Sequence, residues 1–67
     1  MPATSWPADP THLTVRFPFA GRVLEGVVRE AFLAPDVTGI TVIFRVLVDG
    51  TIYRTTRREA EPIPDRY

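Results

Sequence analysis

The side chains best equipped for chemistry in this chain are its arginines. All eight basic residues are arginine and none is lysine, so every cation is a planar, permanently charged fork suited to bidentate contact with phosphate or carboxylate. Arg45, Arg54, Arg57 and Arg58 lie close together along the chain, and Arg16 or Arg29 can join them from adjacent strands. Such a group can hold a nucleic-acid backbone or dock on an acidic partner. The plainer alternative is a solvated face neutralised by Glu30, Glu59 and Glu61.

Other chemistry is poorly served. His12 is the only histidine and has no paired nucleophile beside it, which suits a solvated residue at the start of a strand. Ser5 is the only serine and falls in a proline-rich arm, so a serine triad is not expected. Cysteine is absent, which removes disulfides and any thiolate zinc or redox site. The eight carboxylates are scattered without metal-ligand spacing, and Glu59 and Glu61 suit solvated pairs with Arg57, Arg58 or Arg66. With no lysine there is neither a Schiff-base nor a phosphate-loop amine, and the glycines at 21, 26, 39 and 50 form no phosphate-cradling loop. No cofactor and no metal are expected.

The arginines are positioned by a hairpin over residues 40–57, closed by the two-residue turn Asp49-Gly50. Asp-Gly supplies the positive φ angles of a type I′ turn, whose twist matches that of the flanking strands. The pairing then sets Val48 against Thr51, Val46 against Tyr53, Phe44 against Thr55 and Val42 against Arg57. Ile40, Val42, Phe44, Val46 and Val48 are apolar at period two, the mark of a half-buried strand, and are the expected core face. The other face carries Thr41, Ile43, Arg45 and Leu47 against Ile52, Arg54 and Thr56. Arg45 and Arg54 stand directly opposite each other there, a repulsive pair unless an anion lies between them. Tyr53 is on the wrong face to stack with them.

Composition bounds the rest. A chain of 67 residues makes one small domain that buries only ~60% of its unfolded surface. Its core supplies roughly 3–5 kcal/mol unless something else helps, so oligomerisation or residence in an assembly is a reasonable expectation. The seven prolines help by narrowing the unfolded ensemble. Zero net charge argues against a purely charge-driven nucleic-acid or membrane binder. No apolar run approaches the ~20 residues of a membrane span and no signal-peptide pattern opens the chain, which points to a cytoplasmic setting.

Residues 1–11 read as an extended, proline-rich arm in which Trp6 is expected to dock, on the domain's own core or on a neighbouring copy rather than on a functional partner. Residues 12–63 read as a single small β-rich domain and residues 64–67 as a tail. His12 to Phe19 reads as a strand with Leu13, Val15 and Phe17 on one face, which Pro18 ends or confines to a sheet edge. Residues 19–33 are ambiguous. Apolar pairs recur every four residues, as on a helix, yet Gly21 and Gly26 each cost ~1 kcal/mol in a helix interior. The valines prefer strands, and no capping residue precedes the segment. The strand reading, with a bulge at Gly26, is preferred; the helical one stands beside it.

Read as strands, Glu25-Gly-Val-Val28, Val42-Ile-Phe-Arg45, Asp49-Gly-Thr-Ile-Tyr53 and Glu61-Pro-Ile63 resemble the small SH3-like barrels of the Tudor and KOW type. The resemblance covers about residues 13–63 and implies a mainly β, five-stranded barrel that binds nucleic acid, methylated side chains or proline-rich peptides. The chain departs from methyl-lysine readers in lacking an evident cluster of three or four aromatics, and from KOW modules in its neutral charge. With residues 19–33 helical the topology would be α+β, strand–helix–strand–strand, as in the dodecins, although no dodecin motif is present.

Three functions follow. The leading one is a non-enzymatic interaction module that binds another protein or its own copy through Ile43, Arg45, Leu47, Ile52 and Arg54, where exposed aliphatics mix with arginine stems. The second is nucleic-acid binding through Arg45, Arg54, Arg57 and Arg58. The third is a subunit of an oligomeric enzyme with an active site formed between chains, as in the small barrel-type plasmid dihydrofolate reductases. Membrane binding is not expected.

Overall fold

The computed structural model describes residues 6–63. They form five strands, β1 (Thr14–Phe19), β2 (Arg22–Asp36), β3 (Gly39–Val48), β4 (Thr51–Thr56) and β5 (Glu61–Pro62). All pairings are antiparallel and the strands make one sheet in the order β4-β3-β2-β1-β5. No helix occurs among the described residues.

Turn chemistry explains the meander. Asp49 and Gly50 have φ of 49° and 82° and join Val48 to Thr51, as the Asp-Gly signal requires. Ala20 and Gly21, with φ of 51° and 77°, make a second two-residue turn between Phe19 and Arg22. Val37-Thr38 closes the hairpin between Asp36 and Gly39, and the Asp36 carboxylate accepts the Val37 N–H at 2.7 Å. Alanine is poorly suited to positive φ, because its Cβ crowds the following carbonyl. Ala20→Asn would restore the Asn-Gly pair that this turn favours. It is expected to raise stability by ~0.5–1 kcal/mol, read as a higher urea midpoint; an unchanged or lower midpoint would reject that account of the turn.

The helical alternative for residues 19–33 is overturned, since β2 runs unbroken through them for 15 residues. The apolar pairs that imitate a helix come from apolar residues on both faces of the strand combined with a bulge. Val28 pairs with Val46 and Glu30 with Arg45, leaving Arg29 as the extra residue. The core face of β2 is therefore Leu24, Gly26 and Val28 before the bulge, and Ala31 and Leu33 after it. The expected bulge at Gly26 sits three residues later instead.

Gly26 has a different task. A Cβ built there would run into the Leu47 carbonyl oxygen and approach Val48 Cγ2 at 2.6 Å. The first half of β2 pairs with β1, the second with β3, and Val27 pairs with both Thr14 and Leu47. Gly26 thus stands where β3 closes on the strand shared by the two halves of the sheet, and the missing side chain lets the backbones approach.

The core consists of Val15, Phe17, Val28, Phe44, Val46 and Ala60, with Leu13, Leu24, Ala31, Val42, Val48, Tyr53 and Trp6 packed around it. The expected faces of β1 and β3 hold, with one correction. Ile40, expected inside, is 72% exposed, because the β2–β3 hairpin extends beyond the strands that would cover it. Pro18 pairs with Val23 on the stretch of β1 that β5 does not reach, an edge position as expected.

Trp6 docks on this core rather than elsewhere, its ring 5.2 Å from that of Phe44 at an edge-on 61°. The arm behind it is fastened by Asp9, whose Oδ1 accepts the Thr11 N–H at 3.1 Å and the Thr11 hydroxyl at 2.7 Å. Those two bonds hold the exposed Asp9 carboxyl below its ordinary range, the hydroxyl having the larger effect. The His12 N–H then donates to the Val28 carbonyl at 2.8 Å. The expected tail, 64–67, and the first five residues of the arm lie outside the described residues.

Candidate interaction surface

The sheet face opposite the core is built in rows set by the register. Val27, Leu47 and Ile52 form one row across β2, β3 and β4; Glu30, Arg45 and Arg54 form the next; Phe32, Ile43 and Thr56 form the third. The hairpin pairing expected from Asp49-Gly50 holds throughout, and Arg45 stands opposite Arg54 as anticipated.

Neighbouring side chains on β2 relieve their repulsion. Arg45 Nη1 lies 3.6 Å from Glu30 Oε1, while the Arg54 guanidinium carbon sits 6.0 Å from the centre of the Phe32 ring. One cation thus turns to a carboxylate on β2 and the other to the negative face of an aromatic ring. Both members of the ion pair are more than half exposed, so it contributes little, about 0–1 kcal/mol. Its effect is to orient the two guanidinium groups apart.

The apolar members differ in availability. Ile43, expected on the surface, is 7% exposed and closed in on this face. Leu47 is half-buried. Ile52 and Phe32 remain 43% and 38% exposed, and together with Arg45, Arg54 and Tyr53 they line a shallow depression. Sequence reasoning misses Phe32, because the helical alternative and a bulge expected at Gly26 rather than at Arg29 leave its facing undetermined. Once β2 is read as a strand with Arg29 extra, Phe32 falls opposite Ile43 and beside the arginines.

The arginine group itself divides. Arg57 extends the hairpin opposite Val42, donating its N–H to that carbonyl at 2.9 Å. By alternation it points to the core side, where it borders a hollow with Trp6, Ile40 and Val42. Arg58 reaches across to Asp36 at 3.6 Å. Arg16 pairs with Glu61 on β5 at 3.9 Å, and Arg29 stands exposed at the bulge. Arg45, Arg54, Arg57 and Arg58 therefore do not form one patch. Among the described residues Glu61 pairs with Arg16 rather than with Arg57 or Arg58, while Arg66, the third partner anticipated for Glu59 and Glu61, lies outside them.

Aromatic residues do gather on the core side. The Tyr53 ring meets Phe17 at 6.2 Å and Phe19 at 4.9 Å, so the ring packs on the core side as the register required, while the residue also borders the depression beside Arg45 and Arg54. Among the described residues no group of three or more potential metal ligands occurs, and no helix is long and apolar enough to cross a membrane. No protein-family model, curated protein or solved structure matches this chain.

Proposed function

We propose that this domain is a non-enzymatic interaction module that docks on another protein, or on its own copy, through the face formed by Phe32, Arg45, Leu47, Ile52 and Arg54. The observation that carries this reading is the continuous mixture of exposed apolar side chains with arginines already engaged by the domain itself. Arginine and aromatic side chains are the residues that concentrate binding energy at protein interfaces. A phosphate-binding patch would instead present several unengaged cations on one side, and here Arg57 and Arg58 lie apart from Arg45 and Arg54. The SH3-like barrel of the Tudor and KOW type belongs to the same proposal, supported by the five-strand antiparallel meander whose short last strand returns to β1.

The test is capture of protein partners by the purified chain and by the double variant Arg45→Glu with Arg54→Glu, both first shown to be folded. At least a ten-fold loss of capture is expected in the variant, together with retention by the wild type at moderate salt. Unchanged capture by the variant would reject this face. Binding to DNA or RNA that weakens log-linearly with salt, in place of protein capture, would replace the reading with the nucleic-acid one.

A further inference from the structure

β4 presents a usable row of backbone groups at the edge of the sheet. Among the described residues it has a neighbour on one side only. The bond from Arg57 N–H to the Val42 carbonyl sets the alternation along the hairpin. Thr51, Tyr53 and Thr55 exchange bonds with β3, while Ile52, Arg54 and Thr56 turn their N–H and C=O groups outward. The Thr56 carbonyl is taken by the N–H groups of Glu59 and Ala60 at 3.2 and 3.0 Å. Those of Ile52 and Arg54 have no partner among the described residues. Natural sheet edges are usually blunted by charged side chains, proline, a bulge or extreme shortness. β5, at the other edge, has two residues and a proline, whereas β4 reads Thr-Ile-Tyr-Arg-Thr-Thr, six residues with no proline or bulge and with Arg54 as its single charge.

We propose that β4 pairs antiparallel with β4 of a second copy about a two-fold axis, with Ile52 directly opposite the partner's Ile52. This rests on reading the adjoining face as an interaction surface, and it names the occupant of its outer margin. Near the strand centre, three registers keep outward groups facing outward groups. They set Arg54 against Arg54, Ile52 against Arg54, or Ile52 against Ile52. The first opposes two guanidinium groups directly. The second leaves them as diagonal neighbours, roughly 7–8 Å apart. The third stacks an isoleucine that is 43% exposed on its own copy, with Leu47 behind it. It also carries each Arg54 alongside the partner's Asp49-Gly50 turn. Asp49 is exposed, and neither it nor Arg54 makes an ion pair among the described residues. The third register therefore matches apolar to apolar and cation to anion, as a self-complementary two-fold contact requires.

The absence of cysteine gives a direct test. In the proposed register the Cα atoms of the two Ile52 residues are ~5.5 Å apart, inside the roughly 4.4–6.8 Å span of a disulfide. Those of the two Arg54 residues are ~14 Å apart, outside it. Ile52→Cys is expected to form a disulfide-linked dimer of twice the 7.5 kDa chain mass under mild oxidation, and Arg54→Cys is expected to remain a monomer. Sedimentation of the unmodified chain is expected to show association in the micromolar range, weakened several-fold by Asp49→Asn, which keeps a turn-compatible residue. Cross-linking of Arg54→Cys in preference to Ile52→Cys overturns the register. A monomer at every micromolar concentration, with neither variant cross-linking, overturns the dimer. Arg45→Glu separates this proposal from the one it rests on, because Arg45 lies on β3, one strand in from the edge. If that variant still dimerises but loses partner capture, both readings stand. If the chain is strictly monomeric yet Arg45→Glu loses capture, only the dimer falls.

Discussion

Gly26→Ala is expected to unfold the domain at room temperature or bring it close to unfolding. Two effects of opposite sign compete. Replacing glycine by alanine narrows the unfolded ensemble and ordinarily stabilises by ~0.4–1 kcal/mol. Here the new methyl would run into the Leu47 carbonyl oxygen and press on Val48 Cγ2. A flexible side chain could rotate aside, but a backbone carbonyl inside a paired strand cannot move without dragging the β2–β3 ladder. Overpacking of this kind costs ~1–3 kcal/mol or more, and the domain has only about 3–5 kcal/mol to lose. The clash therefore decides the sign. A urea titration followed by circular dichroism should show a midpoint lowered by at least half; an unchanged midpoint would mean that the strands do not close at Gly26 as described.

Phe44→Ala is the second large effect. Phe44 is fully buried, sits opposite Thr55 on β4 and Ala31 on β2, and meets the Trp6 ring edge-on. Removing a buried phenyl ring costs ~3–5 kcal/mol, comparable with the whole stability of a domain this size. Trp6 is the only tryptophan, so its emission reports directly on the missing contact. The variant should show red-shifted emission and no cooperative thermal transition. Phe44→Leu, which keeps most of the volume, should retain a transition at lower temperature. A blue-shifted, cooperatively melting Phe44→Ala protein would place Trp6 and the core elsewhere.

How far the sequence leads depends on the kind of signal. Asp49-Gly50 is a local rule with one geometric solution, and from it the register of β3 and β4, the core face and the opposition of Arg45 to Arg54 all follow. The Ala20-Gly21 turn is invisible to the same reasoning, because alanine is not a residue that turn normally selects. Residues 19–33 resist for a deeper reason. A strand with apolar residues on both faces shows no clean alternation, and a bulge reverses the phase midway, so periodicity does not discriminate strand from helix. The candidate surface inherits that gap. Its β3 and β4 members are legible from the hairpin, whereas Phe32 on β2 is not. Ile43 shares their face but is buried in the row between Phe32 and Thr56, and the Phe32 side of that row cannot be read from a hairpin alone. Arg57 and Arg58 neighbour Arg54 along the chain, yet the alternation after Arg54 already turns Arg57 to the other side. Ile40 carries the core pattern past the point where covering strands end.

The extra residue at Arg29 also bears on chain length. Val46 and Arg45 are consecutive on β3, while their partners Val28 and Glu30 are separated by one residue on β2. Removing a residue elsewhere within the paired strands would transpose inside and outside for everything up to the next turn. Arg29 is the position where the strand carries a residue in surplus of its partner. Without it, Val28 and Glu30 would already be in step with β3, every core side chain would keep its facing, and the chain would surrender only the local twist that a bulge provides. Shortening of this domain by one residue is thus accommodated at a specific address, on the strand that both halves of the sheet share.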